Sequence, residues 1–332
     1  MGVDLLVIYM QYPGDENRHW KKMPAQGYKE WQCQRLLVGK VVIYWLPIFD
    51  LLRYRDRIVL LDNNPTNICM LIYAVLFKSI GVKTALWIEH INDDFKSVAK
   101  QTYQKICSWL LIKLTSNVLY FSDMTKSYVQ SLASDCKMFR IRQAVGPTAE
   151  FPNTGILCQV PRRGLSIIKF GYIGSLTVRK NVSVLLEIFS EYTIKKAELH
   201  TAGFENTLGN RGNKNIRYYG YIDGEQKENF YEDIDCLILP SLADPWGMVV
   251  NEAMSRGCLC IVSEQCGSSE MIRQVDSRLV TGTDKSSIRA AIDYVLNLTA
   301  DEIYALRSKS LQVIADYTLD KSASDLFCAL LT

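Results

Sequence analysis

Short apolar runs alternate with longer amphipathic stretches through the first half of the chain. The spacing predicts five strands, at Leu5–Met10, Val41–Trp45, Arg57–Leu61, Thr84–Ile88 and Val118–Phe121. Apolar positions at helical spacing lie between them, at Thr66–Ile80 and Ser97–Leu114. Strands that alternate with helices are typical of a parallel sheet covered by helices. The pattern therefore predicts an α/β domain in this half.

The same alternation starts again in the second half. We expect strands at Ile167–Tyr172, Glu198–Thr201, Ile216–Tyr219, Cys236–Leu239 and Cys258–Ser263. The helical stretches between them are Asn181–Tyr192, Glu225–Tyr231 and Gly247–Arg256. Residues 284–332 have largely helical spacing. A second α/β domain follows from this repetition.

The predicted fold class is α/β, with two Rossmann-like, doubly wound domains that face a central cleft. Residues 1–148 form the front domain, 149–164 a linker rich in Pro and Gly, and 165–332 the back domain, whose last helix packs back on the front domain. A length of 332 residues suits two domains better than one. Ligands of such sheets bind at the carboxyl ends of the strands, so we expect the site in the cleft.

The charge composition limits the classes of partner that we expect this chain to bind. The net charge of +3 gives no indication of a nucleic-acid partner. Residues 1–150 hold about 19 Lys and Arg against 13 Asp and Glu, which leaves the rest of the chain slightly acidic. This mildly basic front half suits an anionic membrane surface or an anionic acceptor, and ordinary scatter of surface charge explains it equally well.

Cysteine usage and hydropathy indicate the compartment. The ten Cys form no CxxC pair and lie partly in apolar runs, as buried free thiols of a reducing cytosol do. The longest apolar stretch, Ile68–Phe77, is too short to span a bilayer, and no secretory signal pattern is present. We expect a cytoplasmic protein, with a position at the inner face of the membrane as one option.

The segment Pro240–Gly257 holds the richest candidate chemistry. A buried strand ends at Pro240, and a helix begins near Gly247, so free N–H groups at Gly247, Met248 and Val249 are available to a diphosphate. Asp244 precedes this helix, and Glu252 shares its apolar stripe. A carboxylate there requires hydrogen-bond partners, which ribose hydroxyls could supply. A helix cap plus one partly buried Glu is an equally plausible interpretation of the segment taken alone.

A second candidate segment is the glycine turn after the strand Ile167–Tyr172. Its candidate residues are Gly174, Ser175, Arg179 and Lys180. Cations at the start of a helix oppose its dipole, and a bound pyrophosphate would reverse that sign. Two exposed cations on a loop are the alternative.

Histidines offer a third set of candidates. His90 follows a front-domain strand, where it would face the cleft and bind a sugar or phosphate. His19, beside Arg18, could reach an acceptor, whereas His200 is as readily a core histidine. Asp93 and Asp94 are better interpreted as a helix cap than as metal ligands. No GxSxG elbow, P-loop, HExxH or Gly-rich dinucleotide fingerprint occurs in the sequence.

Together these segments resemble the retaining glycosyltransferases of family 4, which have the GT-B fold. That family typically has Pro-Ser-x-x-Glu-x-Phe-Gly and then a helix with Glu-Ala-Met and Gly, with seven residues between its two acids. The matching residues here are Pro240, Ser241, Asp244, Gly247, Glu252, Ala253, Met254 and Gly257. Similar turns are Gly267–Glu270, Gly174–Asn181, Thr201–Gly203 and Tyr219–Tyr221. The resemblance covers about residues 165–320 well and the front domain more loosely.

The resemblance implies a role for each residue. Glu252 would hold the ribose, Asp244 would contact the donor sugar, and Lys180 with Arg179 would neutralise the leaving diphosphate. Gly203 and Tyr221 would flank the nucleotide base, and His90, Arg18 and His19 would lie on the acceptor side, the last two with the weakest support. Metal would not be needed, and no cofactor is expected beyond a UDP- or GDP-linked sugar substrate.

Three departures from the family pattern matter. Asp244 stands where Glu is usual, and Ser175 where Arg is usual. The family's first strand, glycine turn and first helix have no counterpart, so we expect either a truncated sequence or an N-terminally abbreviated front domain. The leading hypothesis is an active transferase that moves a sugar to a glycan or glycolipid in cell-surface polysaccharide synthesis, such as capsule or lipopolysaccharide. The alternatives are a donor-binding but inactive homologue and a GT-B nucleotide-sugar epimerase.

Overall fold

The structure is a computed structural model. It describes residues 6–9, 29–32, 34–38, 41–45, 58–62, 68–89, 97–145, 167–191, 197–204 and 214–332. Within these ranges it confirms the predicted fold class, since two Rossmann-like α/β domains with parallel sheets are present.

The front domain is built on a four-stranded parallel sheet. Its strands follow chain order, as β5 (Ile58–Asp62), β6 (Lys83–Trp87), β7 (Asn117–Tyr120) and β8 (Met138–Arg140). The connecting helices are α1 (Ile68–Ser79), α2 (Val98–Leu114) and α3 (Asp123–Leu132). Each lies between neighbouring parallel strands, and right-handed crossovers therefore place all three on one face of the sheet.

Four further strands precede this sheet. β1 (Leu6–Tyr9) pairs in parallel with β2 (Lys29–Gln32), and β3 (Gln34–Val38) pairs with β4 (Val41–Trp45) in antiparallel fashion. The strand predicted at Val41–Trp45 is therefore present, but it belongs to a hairpin and not to a parallel sheet. The physical reason lies in the connection, because two residues can join antiparallel strands only.

The back domain contains a six-stranded parallel sheet with the order β11-β10-β9-β12-β13-β14. These strands are β9 (Ile168–Ile173), β10 (Ala197–Ala202), β11 (Ile216–Tyr218), β12 (Cys236–Leu239), β13 (Leu259–Ser263) and β14 (Val280–Thr281). Every residue of β12 and β13 is buried. Such continuous apolar runs are expected of strands covered by helices on both faces.

Seven helices of the described part surround this sheet or follow it. They are α4 (Val182–Glu191), α5 (Gly224–Asp233), α6 (Met248–Ser255), α7 (Ser269–Val275), α8 (Lys285–Leu296), α9 (Ala300–Ile314) and α10 (Leu319–Leu331). A capping box starts α9, where the Thr299 side chain accepts from the backbone of Glu302 and the Glu302 side chain accepts from that of Thr299. This reciprocal cap satisfies N–H groups that a helix start otherwise leaves without partners.

The last helix, α10, lies against β7 and β8 of the front domain. Asn117 Nδ2 donates to the Ala329 carbonyl at 2.6 Å, and Arg142 forms an ion pair with Asp325 at 2.9 Å. The Ser322 hydroxyl donates to the Arg142 carbonyl. These contacts tie the carboxyl end of the chain to the front sheet. Among the described helices, none has the length and hydropathy that a bilayer-spanning segment requires.

Candidate functional site

The loop between β12 and α6 is held by backbone hydrogen bonds to two other loops. Leu242 N donates to the Arg179 carbonyl at 2.8 Å, and Asp244 N donates to that of Gln265 at 3.0 Å. The Asp244 carbonyl in turn accepts from Gly267 N at 3.0 Å. Because β9, β12 and β13 are neighbours in a parallel sheet, the segments that follow them meet at one edge. The candidate residues from three separate segments thus converge there.

Lys180 and Asp244 are in direct contact at this edge. The Lys180 ammonium lies 2.5 Å from Asp244 Oδ2, and the two side chains are only 19% and 9% exposed. Lys180 ends a 3-10 turn, Val178–Lys180, and Asn181 follows it with a left-handed φ of 54°. The Asn181 amide donates to the carbonyls of Pro240 and Thr283. This side chain therefore fixes the turn that places Lys180 beside Asp244.

The glycine turns after β9 and β10 pack backbone to backbone. Gly203 has φ 96°, and a Cβ built on it would lie 2.4 Å from the Gly174 carbonyl oxygen. Gly174 N donates to the Ala202 carbonyl, and Gly203 N donates to that of Gly220. A side chain at position 203 is excluded both by φ and by space. The two turns therefore lie close together, next to the turn that carries Lys180.

Ser175 and Tyr221 are the exposed candidates of this edge. Ser175 is exposed and its carbonyl accepts from the hydroxyl of the buried Tyr172, while Tyr221 is 50% exposed. Burial raises the pKa of Tyr172, so its hydroxyl stays protonated and keeps donating. Tyr221 follows β11 in the chain, and β11 is three strands away from β12 in the sheet.

Glu252 is held by two side chains of α5. Lys227 Nζ lies 2.6 Å from Oε1, and the Tyr231 hydroxyl donates to Oε2 at 2.6 Å. The Glu252 side chain is 23% exposed, so it remains partly accessible to solvent. Burial, and after it the Glu252 charge, raises the pKa of Tyr231 well above its ordinary value. The phenol is therefore a permanent donor to this carboxylate.

Neither Lys227 nor Tyr231 was among the candidates from sequence. The signal that points to them is their spacing of four residues, which puts both on one face of α5. The sequence interpretation of Glu252 required a hydrogen-bond partner for a half-buried carboxylate, and these two residues supply it.

The start of α6 lies beside Asp244. Gly247 caps the helix with φ 90°, and a Cβ on it would lie 2.5 Å from the Leu239 side chain and 3.8 Å from Asp244 Cγ. Met248 and Val249 follow in the first turn and are partly exposed. No side chain caps this end of the helix. Its first N–H groups are therefore available to an anionic ligand.

The back domain contacts the front domain through Trp246 and Asn251. The Trp246 indole donates to Asn251 Oδ1 at 2.7 Å, and Asn251 Nδ2 donates to the Gln143 carbonyl at 2.7 Å. The rings of Trp246 and Phe121 also pack in a T-shaped arrangement, with centroids 6.2 Å apart. Sequence reasoning missed this connection, because nothing local indicates that Asn251 is satisfied by the other domain.

Glu270 forms a second connection between the domains. Arg140 Nη2, at the end of β8, lies 2.8 Å from Glu270 Oε1 on α7. Burial raises the pKa of Glu270 to about 7, although the Arg140 charge acts in the opposite direction. Nearby, a Cβ on Gly267 would lie 2.1 Å from the Pro245 carbonyl oxygen and 2.8 Å from Ser122 of the front domain. Glycine at position 267 therefore allows three segments to approach closely.

Three candidates lie outside the described residues, namely Arg18, His19 and His90, and so do Asp93 and Asp94. His200 is fully buried, and its ring nitrogens lie 2.9 Å from the Tyr219 hydroxyl and 3.3 Å from Glu198. Burial lowers the pKa of His200, which favours a neutral core histidine, the second of the two interpretations from sequence. In the described ranges, no three His, Cys, Asp or Glu side chains group as a metal site would require.

Part of the chain is similar in sequence to a known protein family. Residues 166–309 match the sequence model of the family "Glycosyl transferases group 1". An uncharacterized glycosyltransferase of Methanocaldococcus jannaschii is 25% identical over 164 residues, which is 46% of this chain and 42% of that protein. One of Sulfolobus islandicus rod-shaped virus 1 is 29% identical over 32% of this chain and 31% of its own length. The chain thus spans less than half the length of these curated relatives.

Solved structures resemble the chain over nearly its whole length. Sucrose-phosphate synthase from Thermosynechococcus elongatus has a TM-score of 0.68 and 13% identity, and covers 97% of this chain and 87% of its own. Trehalose-6-phosphate synthase OtsA has a TM-score of 0.69 and 11% identity, with 99% of both chains covered. Anabaena HepE, solved with UDP and glucose, has a TM-score of 0.65 and 12% identity over 92% of this chain and 86% of that one. Residues 166–309 therefore resemble a glycosyl transferases group 1 domain, and the chain has the GT-B fold.

Proposed function

We propose that this chain is a retaining, metal-independent glycosyltransferase of family 4. It would move a sugar from a UDP- or GDP-linked donor to a glycan or glycolipid in cell-surface polysaccharide synthesis. The observation that carries the proposal is the Lys180–Asp244 pair at 2.5 Å, beside the uncapped start of α6. An ammonium, a carboxylate and free helix N–H groups at one sheet edge suit a diphosphate-linked sugar. The group 1 family match of this domain supports the same conclusion.

Lys180 and the start of α6 would bind the diphosphate. In a nucleotide-sugar complex, the β-phosphate would lie where the Lys180 ammonium and the N–H groups of Met248 and Val249 converge. Arg179 is half-buried next to Lys180 and adds a second cation. Preorganised cations and helix dipoles stabilise the charge that develops on a leaving diphosphate. That is the task that a metal ion performs in other transferases, and the proposal therefore needs no metal.

Glu252 would bind the ribose of the donor. Its carboxylate is held by Lys227 and Tyr231 at 2.6 Å each, and each oxygen has capacity for a further hydrogen bond. The 2′ and 3′ hydroxyls of a ribose are donors at a suitable spacing. Tyr221 and the turn at Gly203 would flank the base. HepE, of the same fold, was solved with UDP, which supports a nucleotide ligand for this chain.

The transfer itself exchanges one bond at the anomeric carbon for another. The bond to the diphosphate breaks, the acceptor hydroxyl attacks from the same face, and its proton leaves with the nucleoside diphosphate. Asp244 would contact the donor sugar, and its pairing with Lys180 keeps it beside the phosphate. His90, Arg18 and His19 would lie on the acceptor side. A contact of the basic front domain with a membrane surface, on the cytoplasmic side, is part of the same proposal.

Isothermal calorimetry with UDP, GDP and their glucose and mannose conjugates tests the donor site. We expect micromolar binding of one nucleotide family and weaker binding of the other. Folded protein that binds none of them would refute the proposal. Release of nucleotide that depends on added acceptor distinguishes an active transferase from a protein that only binds donor. Conversion of the free nucleotide-sugar to its epimer would instead identify the epimerase alternative.

A further inference from the structure

Exposed apolar side chains are concentrated on two neighbouring helices of the front domain. Among the described residues, sixteen large apolar side chains are exposed, and six of them lie on α1 and α2. They are Ile72, Val75, Val98, Tyr103, Ile106 and Trp109, which are 52%, 51%, 79%, 43%, 53% and 43% exposed. We call these six residues the α1/α2 apolar surface. Single exposed apolar residues are normal, whereas a group on adjacent helices marks an interaction site.

On each helix the exposed apolar side chains lie on the side away from the buried residues. α1 and α2 pack against each other and cover one face of the front sheet. On α2 the inner face is already occupied, because Cys107, Leu111 and Ile112 are buried in the front domain. Ile106 and Trp109 are three residues apart on the opposite, outward side. A helix that is apolar on both sides requires a second apolar environment in addition to its own core.

The charged side chains of these two helices are all basic. Neither α1 nor α2 contains an Asp or Glu, and together they carry four exposed lysines, Lys78, Lys100, Lys105 and Lys113. Lys113 pairs with Asp135 on the following loop, at 2.7 Å. Lys105 lies on α2 four residues before Trp109, and therefore on the same side of the helix. Lysines beside Trp, Tyr and Ile are the combination that an anionic lipid–water interface favours.

We propose that the α1/α2 apolar surface docks the front domain on an anionic lipid surface. Trp109 and Ile106 would enter the headgroup region, while Lys105 contacts lipid phosphates. A second copy of this chain fits the surface less well, because a two-fold contact would set the lysines of one copy against those of the other. The inference deepens the membrane contact of the proposed function and identifies where it occurs. It would also bring the cleft close to a lipid-linked acceptor.

Vesicle flotation of the full chain tests the inference without any turnover. We compare phosphatidylcholine vesicles with vesicles that contain about one third phosphatidylglycerol, at low and high salt. The wild type should float with the anionic vesicles and lose at least tenfold in binding at high salt. Ile106→Ser with Trp109→Ser should lose at least tenfold at low salt. Lys105→Glu should lose a similar factor on anionic vesicles only.

The matched control replaces equally exposed apolar residues elsewhere. Tyr304 and Leu319 of the back domain are 49% and 48% exposed, and Tyr304→Ser with Leu319→Ser should leave flotation unchanged. Melting temperatures within a degree or two of the wild type show that all variants remain folded. The inference is overturned if the wild type does not float, or if the Ile106/Trp109 variant floats as well as the control. It is also overturned if that variant abolishes a concentration-dependent dimer and vesicles bind neither protein. Nucleotide binding tests the proposed function separately, so the two failures are distinguishable.

Discussion

Lys180 and Asp244, 64 residues apart in the chain, form a nearly buried ion pair at 2.5 Å in the loop region that joins β12 to α6. A pair with so little exposure loses much hydration, and removal of one partner leaves the other without compensation. The pair therefore contributes both to the stability of the loop and to the proposed chemistry. The two contributions can be separated by mutation.

Lys180→Met should lower kcat/KM for donor turnover by about 10²–10³-fold, because the leaving diphosphate loses its main cation. It should also reduce the free energy of unfolding by about 1–3 kcal/mol, since Asp244 is left nearly buried without a partner. Urea unfolding and steady-state kinetics measure the two effects. Lys180→Met with Asp244→Asn should regain part of the stability but none of the activity. Full activity in the single variant would contradict the assignment of Lys180.

Glu252→Ala should abolish nucleotide binding, and Tyr231→Phe should weaken it by about tenfold, because a hydrogen bond to a charged group is lost. The loss in Tyr231→Phe should be larger for UDP or GDP than for the 2′-deoxy nucleotide, since the ribose contact depends on the orientation of Glu252. Calorimetry with each pair of nucleotides measures this.

The matched control for Tyr231 is Tyr294→Phe. Tyr294 donates its hydroxyl to Asp276 at 2.8 Å, in a part of the back domain away from the sheet edge. This variant should bind all nucleotides as the wild type does. If Tyr231→Phe keeps the full preference for ribose over deoxyribose, the hydrogen bond from Tyr231 to Glu252 does not contribute to recognition of the ribose.

The fold and the main site segment could be predicted because both are locally encoded. β12 is a continuous apolar run, and the loop after it carries Pro, Asp and Gly before a helix that ends at Gly257. These signals depend on neighbours within a few residues. The turn at Gly174 with its two cations is of the same kind. Because both segments follow strands of one parallel sheet, its topology brings Asp244 and Lys180 to the same edge.

Partners that come from other elements could not be predicted in this way. Glu252 is held from α5, and Asn251 donates to the Gln143 carbonyl of the other domain, 108 residues away. Which helix lies beside α6 depends on how both domains pack, and no local pattern records it. β8 has three residues with no buried position, so hydrophobic spacing does not reveal it.

Gly203→Ala should reduce the free energy of unfolding by more than about 3 kcal/mol, because both φ and space exclude a side chain. The added Cβ would lie 2.4 Å from the Gly174 carbonyl oxygen, and φ is 96°. Gly81→Ala is the matched control, since φ is 76° there and nothing lies within 4 Å of the added Cβ. It should cost only the strain of a left-handed residue, about 1 kcal/mol. Equal losses in the two variants, measured by urea unfolding, would show that the turns do not pack as closely as described.

Glu270 should make stability depend on pH between about 5 and 8. Burial raises the pKa of Glu270 from 4.5 to about 7, although the Arg140 charge lowers it. The like charge of Asp123 also raises this pKa, and Tyr317 lies close to the same pair. Because the folded-state pKa is above the unfolded one, the folded protein binds this proton more tightly. The resulting stability is complete below about pH 4.5 and is lost as the pH rises to about 7.

Glu270→Gln removes this titration. Relative to the variant, the wild type should therefore lose stability from pH 5 to pH 8, by at most about 3 kcal/mol, since each pKa unit corresponds to 1.36 kcal/mol. Asp276→Asn is the control of opposite sign, because hydrogen bonds from Arg278 lower the pKa of Asp276 to about 2. The stability that ionised Asp276 contributes is complete above about pH 4, so this variant should be less stable than the wild type by a constant amount from pH 5 to pH 8. Urea unfolding at six pH values measures all three proteins. A constant difference between wild type and Glu270→Gln across this range would mean that Glu270 is ionised throughout, and that its pair with Arg140 outweighs its burial.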